Sequence, residues 1–308
     1  MRIFRTLDSI TPPGKGCALA VGNFDGIHRG HRRIIRRLFR EAEGRRLPAY
    51  ILTFAPHPEK IFGPNRILMI QTLEQRLSAL EALRLEAVAV LPFTRAFAQT
   101  GAEAFADRIL AGALRARVVI VGADFRFGRD RRGDATLLKR LGSECGFETI
   151  VVPPLVENGE AVSSSRVRAL LEAGQVDRAA RLLGRSYEIE GRVVRGAGRG
   201  RTMGFPTANI RTDSEILPRG VFATRLIQAG RAWPSVTNIG LRPTFGSAGL
   251  TVETHVLDGS PDLYGASVRL AFLRRLREER TFAGADALSA RIRRDTAAAR
   301  RVFHRLCP

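Results

Sequence analysis

The chain has 308 residues, 44% of them hydrophobic and 26% charged, with a formal net charge of +20. That length suits two domains, each with its own core. No apolar run approaches the roughly 20 residues that span a bilayer, and residues 1–8 lack the apolar stretch and cleavage site of a secretory signal.

The three cysteines, Cys17, Cys145 and Cys307, are scattered and odd in number. No C-x-x-C spacing marks a zinc or redox site, so a reducing, cytoplasmic setting is expected. Of the 50 basic residues only Lys15, Lys60 and Lys139 are lysine, and the rest are arginine. Residues 1–183 carry 29 basic against 19 acidic side chains, and 184–308 carry 21 against 11. A charge spread this evenly reads as an arginine bias of composition, with no localised nucleic-acid stripe and no specific nucleic-acid or membrane partner expected.

In chain order, residues 17–24 form an apolar strand that ends in glycine. Residues 29–46 place Ile34, Ile35, Leu38, Phe39 and Ala42 on one helical face, with arginines opposite. Strands follow at 49–54, 87–91, 118–122 and 149–152, with helices at 72–83, 101–114 and 134–145 between them. This alternation predicts a parallel sheet with helices on both faces. Two helices, 164–172 and 176–183, close the unit. After Gly184 the texture changes: strands at 187–194, 221–228, 235–239, 251–257 and 267–272 follow one another without helices, and glycine and proline mark the turns. A small antiparallel barrel is expected, with an amphipathic helix from residue 283 packed on it. The domain division is therefore 1–183 and 184–308.

Chemistry concentrates first in Val21-Gly-Asn-Phe-Asp-Gly-Ile-His-Arg-Gly-His31. A strand that breaks through glycines into a helix N-terminus is an anion site, because backbone N–H groups and the helix dipole favour phosphate there. His28 and His31 sit three apart at that entry, and Gly30 between them lets phosphate approach the backbone. Such a pair can stabilise a pentacoordinate phosphate and a departing pyrophosphate by hydrogen bonding alone. The bland reading is two neighbouring surface histidines. Three further segments fall at strand ends or a helix start: Thr53-Phe-Ala-Pro-His57-Pro, Gly122-Ala-Asp124-Phe125-Arg126-Phe127-Gly, and Ser163-Ser164-Ser-Arg166-Val-Arg168. Taken singly, the serines are an N-cap and the arginines a solvated face.

On these motifs the first domain resembles the prokaryotic bifunctional riboflavin kinase/FMN adenylyltransferase family, also called FAD synthetase. The resemblance implies a Rossmann-like nucleotidyltransferase domain that transfers AMP from ATP to FMN, giving FAD and pyrophosphate with Mg²⁺. It implies that His28 and His31 act on the ATP phosphates within a site built by Gly22, Phe24, Gly26 and Gly30, assisted by Ser164 and Arg166. His57, Asp124, Phe125, Arg126 and Phe127 would flank the nucleotide or flavin. Ser165 stands where the family usually has threonine, and the hydroxyl is kept.

The second half opens with Gly196-Ala-Gly198-Arg-Gly-Arg-Thr-Met-Gly204-Phe-Pro-Thr207-Ala-Asn209. It has no Walker lysine and is not a P-loop. Thr207 and Asn209 are spaced to face one way on an extended strand, and such oxygens suit a hard cation beside phosphates. A glycine-rich hairpin is the alternative. Downstream stand Asn238-Ile-Gly-Leu-Arg242-Pro-Thr-Phe, Val252-Glu253-Thr-His255 and Asp262-Leu-Tyr-Gly265. Glu253 interrupts an apolar strand, where a carboxylate can take the proton of an attacking hydroxyl. If Val252, Thr254 and Val256 line the core, Glu253 and His255 share the opposite face, and that face can also be plain solvent. The resemblance continues through these motifs, from about residue 16 to 280. It implies a β-barrel riboflavin kinase domain with a C-terminal helix. Glu253 would be its base, Thr207 and Asn209 the holders of Mg²⁺ and phosphates, Gly198 and Gly204 the nucleotide wrap, and Asn238 and Arg242 neighbours of the flavin. Phe222 stands where the family commonly has tyrosine.

Two other classes fit parts of the pattern. A different H-x-G-H nucleotidyltransferase does not need the second domain, and a tRNA-handling protein needs a synthetase-type second motif that the chain lacks.

Overall fold

The computed structural model describes residues 1–11, 14–62, 67–196, 200, 204–241, 250–259 and 261–306, with Ala285 described by its backbone alone. The chain divides into two compact units, Met1–Ile67 with Leu73–Ser163, and Leu68–Thr72 with Ser164–Pro308.

The first unit is built on six parallel strands: β1 (Arg2–Phe4), β2 (Cys17–Val21), β3 (Ala49–Ala55), β4 (Ala87–Pro92), β5 (Ala116–Gly122) and β6 (Glu148–Val152). Their order across the sheet is β1-β4-β3-β2-β5-β6. All five residues of β2 are buried, which explains its unbroken apolar run: a strand covered on both faces has no polar side to alternate with. Leu19 and Val21 pack with Phe105, Leu110 and Leu138 in one core layer. Ala18 and Ala20 pack with Ile35, Leu38 and Leu80 in another. Successive residues of one strand thus feed opposite faces.

The first unit's helices are α1 (Arg29–Arg45), α2 (Pro58–Phe62), α3 (Leu73–Glu81), α4 (Ala102–Ala104) and α5 (Ala135–Cys145). Helix α1 buries Ile35, Leu38 and Ala42, with Ile34 and Phe39 partly covered. The helix expected at 101–114 is one α turn that continues as a π-helix over Phe105–Ala113. Phe105, Ile109 and Leu110 point inward along it, so the apolar spacing alone did not reveal the looser winding. Strand β1 and the hairpin β7 (Val156–Glu157) with β8 (Glu160–Ala161) had no counterpart in the sequence reading; at two or three residues they are too short for a periodicity to register.

The sheet positions a site through its order. From β2 the chain moves first to β3 and β4 on one side, then to β5 and β6 on the other. The order therefore reverses between β2 and β5, and the crevice at their carboxyl ends is where an open α/β sheet gathers ligands. The His28 loop follows β2, and Asp124 follows β5.

The second unit begins with α6 (Ser164–Glu172) and α7 (Val176–Leu183). A closed six-stranded barrel follows: β9 (Tyr187–Val194), β10 (Ala208–Arg211), β11 (Gly220–Gln228), β12 (Arg231–Leu241), β13 (Leu250–Val256) and β14 (Ser267–Arg277), in the order β10-β13-β12-β11-β14-β9. Inside, Phe272 meets Tyr187 and Phe222 at ring-centroid distances of 5.8 and 5.3 Å. The interior also holds a chain of hydroxyls. Thr224 Oγ1 lies 2.8 Å from Ser235 Oγ and 2.7 Å from Thr237 Oγ1, which lies 2.9 Å from Thr254 Oγ1. All four residues are buried, and in a low-dielectric core each such bond is stronger than in water.

The terminal helix α8 (Ala285–Leu306) lies on β11, β12 and β14 through Ala299 and Val302. Its buried Asp295 accepts from Arg277 Nε at 2.8 Å and Arg291 Nε at 2.9 Å, so the carboxylate is buried but paired. The detached segment Leu68–Thr72 is held within this unit by Arg168 Nε donating to Leu68 O at 2.8 Å and Met69 N–H donating to Glu215 Oε2 at 2.9 Å.

Candidate active sites

In the first unit the loop from β2 to α1 is wound through unusual backbone. Phe24 and Ile27 have φ of 51° and 40°, and Gly26 has φ of 80°. A buried β-branched residue at positive φ is costly and persists only where its surroundings impose it. Two contacts hold the start of the loop at Asn23, and a third holds the neighbouring strand end. Thr53 Oγ1 donates to Asn23 O at 3.0 Å, and Arg76 Nη1 donates to the same oxygen at 2.6 Å, while Arg76 Nη2 reaches Phe54 O at 3.1 Å. Arg76 on α3 thereby ties the end of β3 to the loop after β2. Burial pulls its guanidinium below the ordinary arginine range, and the Asp25 carboxylate opposes that shift.

The Asn23 side chain meets His57 Nε2 at 2.9 Å. His57 Nδ1 accepts from Glu59 N–H at 3.2 Å, and the Asn23 atom that faces Nε2 is the amide nitrogen Nδ2. His57 is buried, occupied on both ring nitrogens.

His28 is the N-cap of α1: its Nδ1 accepts from His31 N–H at 3.2 Å. The neutral ring then keeps its proton on Nε2. The His28 and His31 rings stack with centroids 3.7 Å apart, and Phe24 lies 5.2 Å from His31. Gly30 makes the stack possible. A Cβ there would come within 3.0 Å of the His28 ring and 3.1 Å of Val162 O. Gly22 gives Phe24 room in the same way, with a Cβ falling 3.3 Å from its ring.

After β5, Asp124 folds back over Gly122, where a Cβ would lie 2.9 Å from Asp124 Oδ1. Phe125 stacks on Phe127 at 5.5 Å, and Phe127 is buried in the core beside Phe105. Arg126 is exposed, with Nη1 donating to Phe125 O at 3.1 Å. Ser164 and Arg166 open α6 in the second unit.

On the barrel, Val252 and Thr254 are buried while Glu253 is half-buried. Glu253 therefore points outward, as its alternation with Val252 and Thr254 requires. That outer face is polar by design of the register. Glu253 on β13 stands opposite Asn209 on β10 and opposite Asn238 on β12, and directly opposed residues share a face. The three half-buried side chains make one row across three strands. A Cβ at Gly196 would lie 2.0 Å from the Asn209 amide, and one at Gly200 would lie 3.2 Å from Thr207 Oγ1. These glycines let the backbone pass beside the two candidate ligands. Gly204 has φ of 79°, a turn value that suits glycine. Gly198 and Arg242 lie outside the described residues.

Sequence reasoning gave no role of their own to Asn23, Thr53 and Arg76, whose hydrogen bonds hold the loop to the strand ends. The one signal was Asn23 itself, a polar residue in a buried run.

The FAD synthetase family model matches residues 11–166, and the riboflavin kinase model matches residues 183–303. The chain belongs to the bifunctional riboflavin kinase/FMN adenylyltransferase family. Proteins of that name from Escherichia coli and Bacillus subtilis are 37% and 33% identical to it, covering 98% and 94% of this chain and 98% and 93% of their own. A crystal structure named as a macrolide-efflux protein from Streptococcus pneumoniae superposes with a TM-score of 0.88 at 29% identity, covering 97% of this chain and 98% of that one. Among the described residues no helix is long and apolar enough to cross a membrane. The family makes FMN from riboflavin and FAD from FMN, with ATP as the second substrate of both steps.

Proposed function

We propose that the two reactions are divided between the two motif clusters: adenylyl transfer at the carboxyl edge of the parallel sheet, and riboflavin phosphorylation on the outer face of the barrel, with the division of the chain near residues 183 and 184. The observation that carries this reading is the register Asn209–Glu253–Asn238. It aligns a carboxylate with two amides on a face that the barrel core does not need.

In adenylyl transfer, an FMN phosphate oxygen bonds to the α-phosphorus of ATP as the bond to pyrophosphate breaks. The His28 Nε2–H and the His31 ring donate to the phosphoryl oxygens as charge builds there, and no covalent enzyme intermediate is required. Gly22, Phe24, Gly26 and Gly30 shape the loop that receives the phosphates, with Ser164 and Arg166 assisting. His57, Asp124, Phe125, Arg126 and Phe127 serve the nucleotide or flavin from the neighbouring strand ends. His57 does so through Asn23, and Phe127 through the packing beneath Phe125.

In the kinase reaction, the terminal ribityl hydroxyl of riboflavin bonds to the γ-phosphorus, the bond to ADP breaks, and Glu253 takes the hydroxyl proton. Asn238 and Arg242 adjoin the flavin, and Gly198 and Gly204 the nucleotide. Among the described residues there is no cluster of three or more His, Cys, Asp and Glu fit for a metal. The Thr207 hydroxyl and the Asn209 amide oxygen fit Mg²⁺, which takes few protein oxygens and completes its shell with phosphates and water. Such an ion supplies charge neutralisation on the phosphates.

The place of action is the cytoplasm, where ATP and riboflavin meet, and the thiols of Cys17 and Cys145 are free. Incubating the protein with riboflavin, ATP and Mg²⁺ and separating the flavins by chromatography tests the assignment. FMN should appear first and FAD after it. Folded protein that yields neither overturns it.

A further inference from the structure

The register that aligns Glu253 also places His255 two residues along the same strand, on the same outer face. His255 Nδ1 lies 2.8 Å from Pro206 O. A carbonyl only accepts, so Nδ1 carries a proton and donates it. The ring also meets Phe205 edge-on, with centroids 5.7 Å apart at 84°.

These contacts fall on the backbone that leads into β10. Strand β10 begins at Ala208, so Thr207 stands before the ladder. Pro206 has no N–H to anchor it. Upstream, the described tie is Phe205 N–H donating to Gly200 O at 2.8 Å. Turning the Pro206–Thr207 peptide would swing the Thr207 side chain, and the carbonyl that must stay fixed to prevent this is the one His255 holds.

We propose that His255 is a positioning residue of the kinase site: its Nδ1–H holds the Pro206 carbonyl and thereby sets Thr207 for the phosphates of ATP. The inference rests on the reading of Thr207 as a ligand of ATP with Mg²⁺. It makes β13 carry two functions, the base at Glu253 and the clamp that fixes the opposing segment against it.

Three variants of the full chain test it. His255→Phe keeps the ring against Phe205 and removes the donor. His255→Asn places an amide N–H near the position of Nδ1. Thr207→Ala removes the hydroxyl being positioned. With His255→Phe, the KM for MgATP in FMN formation should rise about tenfold, the effect of one lost hydrogen bond to a poised group. Its kcat should change by less than about threefold, because binding rather than proton transfer is affected. Calorimetry with MgADP should show the same loss of affinity, with riboflavin affinity unchanged. In the ligand-free protein, amide hydrogen exchange over residues 204–209 should quicken. FAD formation from supplied FMN should match wild type, showing that the variant is folded. His255→Asn should restore most of the MgADP affinity.

Wild-type affinity and exchange in His255→Phe would overturn the proposal, as would a His255→Asn no better than His255→Phe. A Thr207→Ala variant with unaltered MgADP affinity would overturn the reading of Thr207, and the proposal with it.

Discussion

Asn209 and Glu253 stand directly opposite each other on β10 and β13, and Asn238 stands opposite Glu253 on its other side. The glutamate is thus fixed by two strand ladders rather than by a loop. Its alternation with buried Val252 and Thr254 turns it to the outer face. Glu253→Gln keeps size and hydrogen bonding but cannot take a proton. FMN formation should fall by roughly 10²–10⁴-fold, while FAD formation from added FMN continues. Chromatography with each flavin as the starting substrate checks this, and riboflavin turnover near the wild-type rate would make Glu253 a surface residue.

Gly30→Ala should act on the other reaction. The new Cβ meets the His28 ring at 3.0 Å and Val162 O at 3.1 Å, so the ring has to shift within its stack with His31. His28→Ala and His31→Ala remove the donors outright, each contributing on the order of 2–4 kcal/mol in the transition state. All three variants should lose FAD formation and keep FMN formation. Equal loss of both activities in folded protein would sink the division of labour.

Thr237→Val tests the hydroxyl chain inside the barrel. Thr237 lies between Thr224 and Thr254 at 2.7 and 2.9 Å, and valine fills the same space without serving either. Taking the partner from the buried Thr254 hydroxyl, while Thr224 keeps Ser235, should cost about 1–3 kcal/mol, seen as a lowered unfolding midpoint in urea. Thr237→Ser keeps the hydroxyl and loses one methyl, so its loss should be nearer ~1 kcal/mol. Equal losses in the two variants would show that packing, not the hydrogen bonds, sets the effect.

Burial lifts the Cys17 thiol from 9.0 to about 12. Its Sγ lies 3.2 Å from Leu114 O, a carbonyl that suits the protonated thiol. Above pH 9 the unfolded chain gives up this proton while the folded chain keeps it, so stability falls as pH rises towards 12. The stability gap between wild type and Cys17→Ala should therefore shrink progressively over that range and be constant below pH 8. A gap independent of pH would contradict the shift.

Much of this was legible in the sequence because the signals are local. The apolar run at β2, the three-residue spacing of His28 and His31, and the alternation around Glu253 each report a backbone geometry over a few residues. Helices α6 and α7 fall at the expected residues for the same reason. What stayed hidden depends on partners far apart in sequence. Arg76 reads as one polar residue of an amphipathic helix, yet it is buried and donates to oxygens 53 and 22 residues away. Nothing local showed that the His57 ring is met by Asn23 on one nitrogen and by the Glu59 N–H on the other. The four barrel hydroxyls looked like ordinary strand threonines and a serine, because only closure of the barrel brings them into one chain.

The detached segment Leu68–Thr72 has a consequence in time. Leu68 waits for Arg168, 100 residues downstream, and Met69 waits for Glu215, 146 residues downstream. On the ribosome, the β/α unit must therefore begin to fold around a stretch whose partners have not been made. Ile70 is buried in the finished protein, and until those partners emerge it is an exposed apolar side chain of the kind chaperones recognise. The second unit is thus assembled from two stretches of chain that leave the exit tunnel at different times.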